Sequence, residues 1–156
     1  MSHSRTDRTA ATRTPVQKAS MAVGVVFLAV GVAGFIPGLT TGYDTLTFAS
    51  HHSEALLLGL FQVSILHNIV HLLFGIAGLV AARTFAAARG YLVIGGALYL
   101  GLFLYGLIVG QDSAANFVPV NPADDVLHLV LGIGMVGLGV ALSRRQTTAH
   151  RAAQEA

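Results

Sequence analysis

The chain reads as an all-α fold: a four-transmembrane-helix antiparallel up-and-down bundle with both termini cytoplasmic. Three observations lead there. Of its 156 residues, 54% are hydrophobic and only 10% charged, with a mean hydropathy of +0.69; a soluble domain is nearer about a quarter charged. Four apolar stretches each approach the roughly 20 residues that cross a bilayer. Finally, all nine Lys and Arg residues fall on one side if four helices alternate. An odd number of spans would divide them, so the charge pattern supports the count as well as the orientation.

The elements follow in order. Residues 1–17 are polar and Arg/Thr-bearing and read as a disordered cytoplasmic tail. The first span covers 19–36 and stops at Pro37-Gly38, a helix terminator. Its basic leader imitates a secretory signal, with Val32-Ala33-Gly34 as a cleavage candidate, but the one-sided charge favours a retained helix. The second span covers 55–82, with Ser53 as cap and Glu54 as first-turn acid. A short turn bearing Arg83 and Arg89 leads to the third span, 90–110, so helices two and three should form an antiparallel hairpin. Asn121-Pro122-Ala123-Asp124 is a strong start for the fourth span, 126–143. Asn121 would cap, Pro122 would take the first helical position, and Asp124 and Asp125 would meet the positive end of the dipole. Residues 144–156 read as a second cytoplasmic tail, leaving one transmembrane domain over 18–143.

Composition also excludes. With no Cys, the chain has no disulfide, thiolate metal site or iron–sulfur cluster. Its charge is segregated along the chain, which argues against nucleic acid as a partner. The expected surroundings are the lipid bilayer of the plasma membrane, crossed several times, with a copy of itself or another membrane protein as further partner.

A polar face inside the second apolar run is the main functional signal. Ser64, His67, Asn68, His71, Gly75, Gly78 and Ala82 recur at three- and four-residue spacing. Polar groups in hydrocarbon are costly and turn toward protein or a wet cavity. Small residues let helices approach, and polar ones hydrogen-bond across the contact. Counting from the turn places Tyr99 within reach of His71, which makes Ser64, His67, Asn68, His71 and Tyr99 an intramembrane polar cluster. At the outer rim, Gln62, His128, Asp124 and Glu54 form a second candidate set for binding a cation or a hydrogen-bonding solute, since no Lys or Arg lies on that side.

Each chemical reading has a plainer rival. His67 and His71, four apart, suit two ligands of one metal. The third donor is His128, yet with every helix centred it sits about 9 Å higher at 1.5 Å per residue. Haem ligation needs imidazoles from two helices at matching depth, so only a pairing with His128, or between subunits, would serve. His51, His52 and Glu54, with Asp112, Asp124 and Asp125, could form a loose metal site or simply a solvated loop. No catalytic residues, nucleotide loop or paired carboxylates stand out in the spans. The leading reading is a non-enzymatic membrane protein whose His/Asn face organises packing or partner association, with no cofactor. The alternative is a small carrier or metal/redox protein using His67, His71 and His128.

Four stretches carry a resemblance: GFIPG at 34–38, GLFQVSILHNIVHLLFGIAGL at 59–79, RGYLVIGGALYLGLFLYGL at 89–107 and ANFVPVNPADDVLHLVLGIGM at 115–135. On these the chain resembles the small bacterial membrane proteins of domain-of-unknown-function family 4383, over about residues 18–143. The resemblance implies a four-helix integral membrane protein and brings no activity, substrate or catalytic residue.

Overall fold

A computed structural model describes residues 12–50, 52–111 and 113–155. His51, Asp112 and residues 1–11 of the N-terminal tail lie outside the described residues. Among those described there are four α-helices: α1 (Pro15–Ala33), α2 (Ile65–Ala81), α3 (Phe85–Ile108) and α4 (Pro122–Glu155). Three segments are long and apolar enough to cross a membrane, Pro15–Ala33, Phe85–Ile108 and Pro122–Gln146, and they mark the chain as a membrane protein. The 17-residue α2 is apolar but shorter.

Local chemistry explains the starts. Thr14 caps α1 in a capping box with Gln17, so the helix begins inside the stretch read as tail. Thr84 caps α3, accepting from the Ala87 N–H at 3.2 Å, and draws its start back to Phe85. At α4, Asn121 Oδ1 accepts from the Ala123 and Asp124 N–H groups at 2.9 and 3.0 Å. The helix then runs on through Glu155, so residues 144–155 are helical, with good helix formers such as Ala, Gln and Arg continuing the apolar segment.

The largest departure from the sequence reading is at α2. Residues 55–64 are not helix. They form an antiparallel sheet of β1 (Thr40–Thr41), β2 (Leu56–Leu57) and β3 (Phe61–Gln62), in the order β1-β2-β3. Leu57 pairs with both Thr40 and Phe61. Leu58 and Gly59 turn the β2–β3 hairpin with φ of 55° and 68°, a left-handed pair that a helix would not contain. Ala55, Leu57 and Val63 point inward onto Val30 and Ala33 of α1. Ser53 is therefore not a helix cap. It is buried, and its hydroxyl donates to the Val63 carbonyl at 2.6 Å. The cap of α2 is Ser64, whose Oγ accepts from the His67 N–H at 3.1 Å.

The helices pack as two antiparallel pairs. On α1 and α2, Gln17 Nε2 donates to the Ala82 carbonyl and Ser20 Oγ to the Gly78 carbonyl. A Cβ on Gly24 would lie 2.8 Å from the Gly75 carbonyl oxygen, so the two backbones touch there. On α3 and α4, a Cβ on Gly96 would meet the Gly132 carbonyl at the same distance. The turn Ala82–Thr84 makes α2 and α3 antiparallel as expected, but the close seams join α1 to α2 and α3 to α4. Arg13, Lys18, Arg83, Arg89, Arg144 and Arg145 thus lie toward the end of the helices bearing this turn. Asp44, Glu54, Asp124 and Asp125 lie toward the opposite end, beneath or within the sheet and the 109–121 loop. That loop is tied by Asn116, which exchanges hydrogen bonds with Val120 and donates to the Gln111 carbonyl.

Candidate functional site

The glycine seams set the height of the site. Gly24 lies on Gly75, so residues one turn nearer the sheet, Phe27 on α1 and His71 on α2, come level; their rings are 5.5 Å apart. Gly96 lies on Gly132, which likewise brings Tyr99 and His128 level, at 5.3 Å. Phe27 and Tyr99, 5.3 Å apart, join the two pairs. His67 completes the row by stacking on His71 at 4.5 Å. An aromatic and imidazole chain, His67–His71–Phe27–Tyr99–His128, therefore crosses between all four helices.

This arrangement corrects the depth inferred from sequence. Because α2 begins at Ile65, His67 occupies its first turn and is not at mid-span. His128 is in the second turn of α4. The separation of about six residues disappears, and His128 lies within electrostatic range of both His67 and His71. All three are buried. Even so, no group of three His, Asp or Glu side chains among the described residues is arranged to hold one metal ion.

The polar groups divide by what they touch. Ser64 is spent on its helix cap. Asn68 faces α1, where a Cβ on Gly34 would fall 2.1 Å from its Oδ1, so Gly34 makes room for the amide. Asn68 is 1% exposed and its Nδ2 has no partner. His71 Nδ1 lies 2.9 Å from the His67 carbonyl. A carbonyl only accepts, so Nδ1 carries the hydrogen and Nε2 of the neutral ring is left as an acceptor. His67 Nδ1 and His128 Nδ1 are buried with no partner at hydrogen-bonding geometry, although the Gln62 and Pro119 backbones interact with the His67 ring.

Two cavities flank these rings. One, of about 180 Å³, lies under the sheet and is lined by His67, His71, Tyr99, Asp124 and His128, with Val30, Leu57, Leu58, Phe61, Val63, Leu127 and Leu131 as apolar walls. The other, of about 130 Å³, reaches His67, His71, Tyr99 and His128 from the α2–α3 side, with Val70, Leu102 and Tyr105. Tyr105 donates its hydroxyl to the Ala115 carbonyl, which holds the loop over this second space.

The outer-rim set separates. Asp124 and His128 line the same cavity. Asp124 Oδ2 accepts from the Asn121 N–H at 2.9 Å and from the Gln62 N–H at 3.0 Å, so it fastens the sheet to α4. Gln62 is on β3, and its side chain turns away to the Ser53 carbonyl at 2.7 Å. Glu54 is exposed beside β2 and reaches neither cavity. Both misplacements have one cause, the sheet that replaces the first turns of the expected helix. Phe27 was not singled out from sequence. Its signal was there, since it lies between Gly24 and Gly31 on one helix face.

Comparison with curated proteins and with solved structures returns no match. The family model described as a domain of unknown function, DUF4383, matches residues 17–141. The chain belongs to that family.

Proposed function

We propose that this family member is a non-enzymatic integral membrane binding protein, which holds a small neutral hydrogen-bonding solute against His67, His71, Tyr99 and His128. The observation that carries the reading is the pair of unpartnered imidazole nitrogens, His67 Nδ1 and His128 Nδ1, on residues 6% and 4% exposed and lining two cavities. An unmet buried polar atom carries a desolvation penalty of about 1–3 kcal/mol, which a ligand able to bond it would relieve. With an acceptor at His71 Nε2 nearby, a hydroxyl group, both donor and acceptor, is the best match. Packing is then the work of Asn68 against Gly34 and of Ser20 against Gly78, on the same face of α2 where it meets α1. In this reading all four helices cross the plasma membrane, both termini are cytoplasmic, and the sheet faces outward.

The test is titration of the full chain in lipid nanodiscs with 1-butanol, followed by the side-chain ¹⁵N resonances of histidine. Saturable shifts at His67 and His128 are expected. His128→Leu should abolish the response at His67 while leaving the unfolding midpoint within a few degrees of the parent. Shifts that grow linearly without saturating would refute specific binding.

A further inference from the structure

A third space adjoins the site and is of a different kind. Between α2 and α3 runs a groove of about 580 Å³, lined by Val70 and Phe74 on one helix and by Ile94, Leu98, Gly101 and Leu102 on the other, with Tyr99 at its floor. The close backbone contacts of α2 and α3 are with α1 and α4, and between α2 and α3 themselves the glycines meet side chains, Gly95 against Phe74 and Gly78 against Tyr91. Ile94 and Leu98 are 65% and 59% exposed, which puts the mouth of the groove against whatever surrounds the helices, hydrocarbon in a bilayer. Val70, Tyr99 and Leu102 line both this groove and the 130 Å³ cavity beside the histidines. An apolar trough open to lipid therefore abuts a small space walled by His67, His71 and His128, whose unmet imidazole nitrogens lie buried behind a mostly apolar lining.

We infer that the ligand is a neutral single-chain amphiphile that enters from the bilayer. Its chain lies in the α2–α3 groove, and its hydroxyl or carbonyl head passes Tyr99 to reach His67 and His128. This rests on the binding reading above and names its ligand class. The head must be small, since about 130 Å³ holds roughly four waters' share of liquid volume. A phosphate or carboxylate head is disfavoured, because no Lys or Arg lines any of the three spaces and Asp124 borders the first. The groove extends about 12 Å along α3 from Ile94 to Leu102 at 1.5 Å per residue, which seats part of one extended alkyl chain.

Two photoreactive probes test this in phosphatidylcholine nanodiscs holding the full chain: hexadecanol with a mid-chain diazirine, and the matching diazirine hexadecane without a head. Adducts are mapped by mass spectrometry. The alcohol should label Val70, Phe74, Ile94 and Leu98 at least fivefold above the headless probe, and unlabelled hexadecanol should compete. A Cβ at Gly101 meets nothing within 4 Å, so Gly101→Leu fills the groove without disturbing the backbone and should cut the labelling at least fivefold. Gly134, also open, supplies the control Gly134→Leu, which should leave it unchanged. Equal labelling by the two probes, or labelling that hexadecanol does not compete and Gly101→Leu does not reduce, means ordinary boundary lipid and overturns the inference. If 1-butanol still shifts the histidines in that case, the binding site stands and only the amphiphile is wrong. If neither alcohol moves them, the binding reading falls with it.

Discussion

Replacing Gly75 by Ala tests the contact that aligns the candidate site. A methyl there would lie 2.7 Å from Leu28 Cγ, 2.8 Å from the Gly24 carbonyl oxygen and 2.8 Å from the Leu28 nitrogen. Non-bonded carbons prefer about 3.5–4.0 Å, so α1 and α2 must part by roughly half to one ångström. Two of the three neighbours are backbone atoms and cannot swing aside. Overpacking of this kind costs about 1–3 kcal/mol. The separation also stretches the 2.9 Å bond from Ser20 Oγ to the Gly78 carbonyl, an interaction of the kind worth about 0.6–2 kcal/mol between membrane helices. Against this, Ala is favoured over Gly within a helix by about 0.5–1 kcal/mol. The expected net loss is about 1–3 kcal/mol. Gly134→Ala is the reference, because its Cβ meets no atom within 4 Å; it should gain about 0.5–1 kcal/mol from propensity alone. Unfolding by SDS in mixed micelles, followed by far-ultraviolet circular dichroism, measures both. Equal midpoints for the two variants would refute the claim that Gly24 and Gly75 form a close seam.

Asp124→Ala should destabilise by about 2–4 kcal/mol, because it orphans the Asn121 and Gln62 N–H groups together, whereas Asp124→Asn keeps an accepting oxygen and should cost under about 1 kcal/mol. Amide hydrogen exchange at Gln62 separates the two variants: fast in the first and slow in the second, with equal exchange counting against the link between sheet and α4. For topology, reporters fused after Asp44 and after Gln111 should read outside and one after Arg144 inside; an outside signal from the last would overturn the proposed orientation.

Much of the molecule was legible from local chemistry. The start of α4 is visible in Asn121-Pro122-Ala123-Asp124, because capping involves only neighbouring residues. The buried side of α2 is visible in the spacing of His67, Asn68, His71, Gly75 and Gly78, since helix geometry alone puts them on one face. The start of α2 was not legible. The apolar run over 55–61 carries no period that separates a buried strand from a helix, and the left-handed turn at Leu58-Gly59 is stabilised by packing of Ala55, Leu57 and Val63 on α1.

By itself, then, the sequence determined that the chain belongs in a membrane, which residues start α4, and which side of α2 faces inward. These depend on composition, on charge and on contacts within a turn or two. Only the tertiary structure decided what stands beside what. Whether His67 and His128 share a depth depends on where α2 begins and on which glycines of which helices touch. Both are settled by residues far apart in the chain, Gly24 against Gly75 and Gly96 against Gly132. A shift of one turn at either seam would move a ring by about 5.4 Å and break the row from His67 to His128.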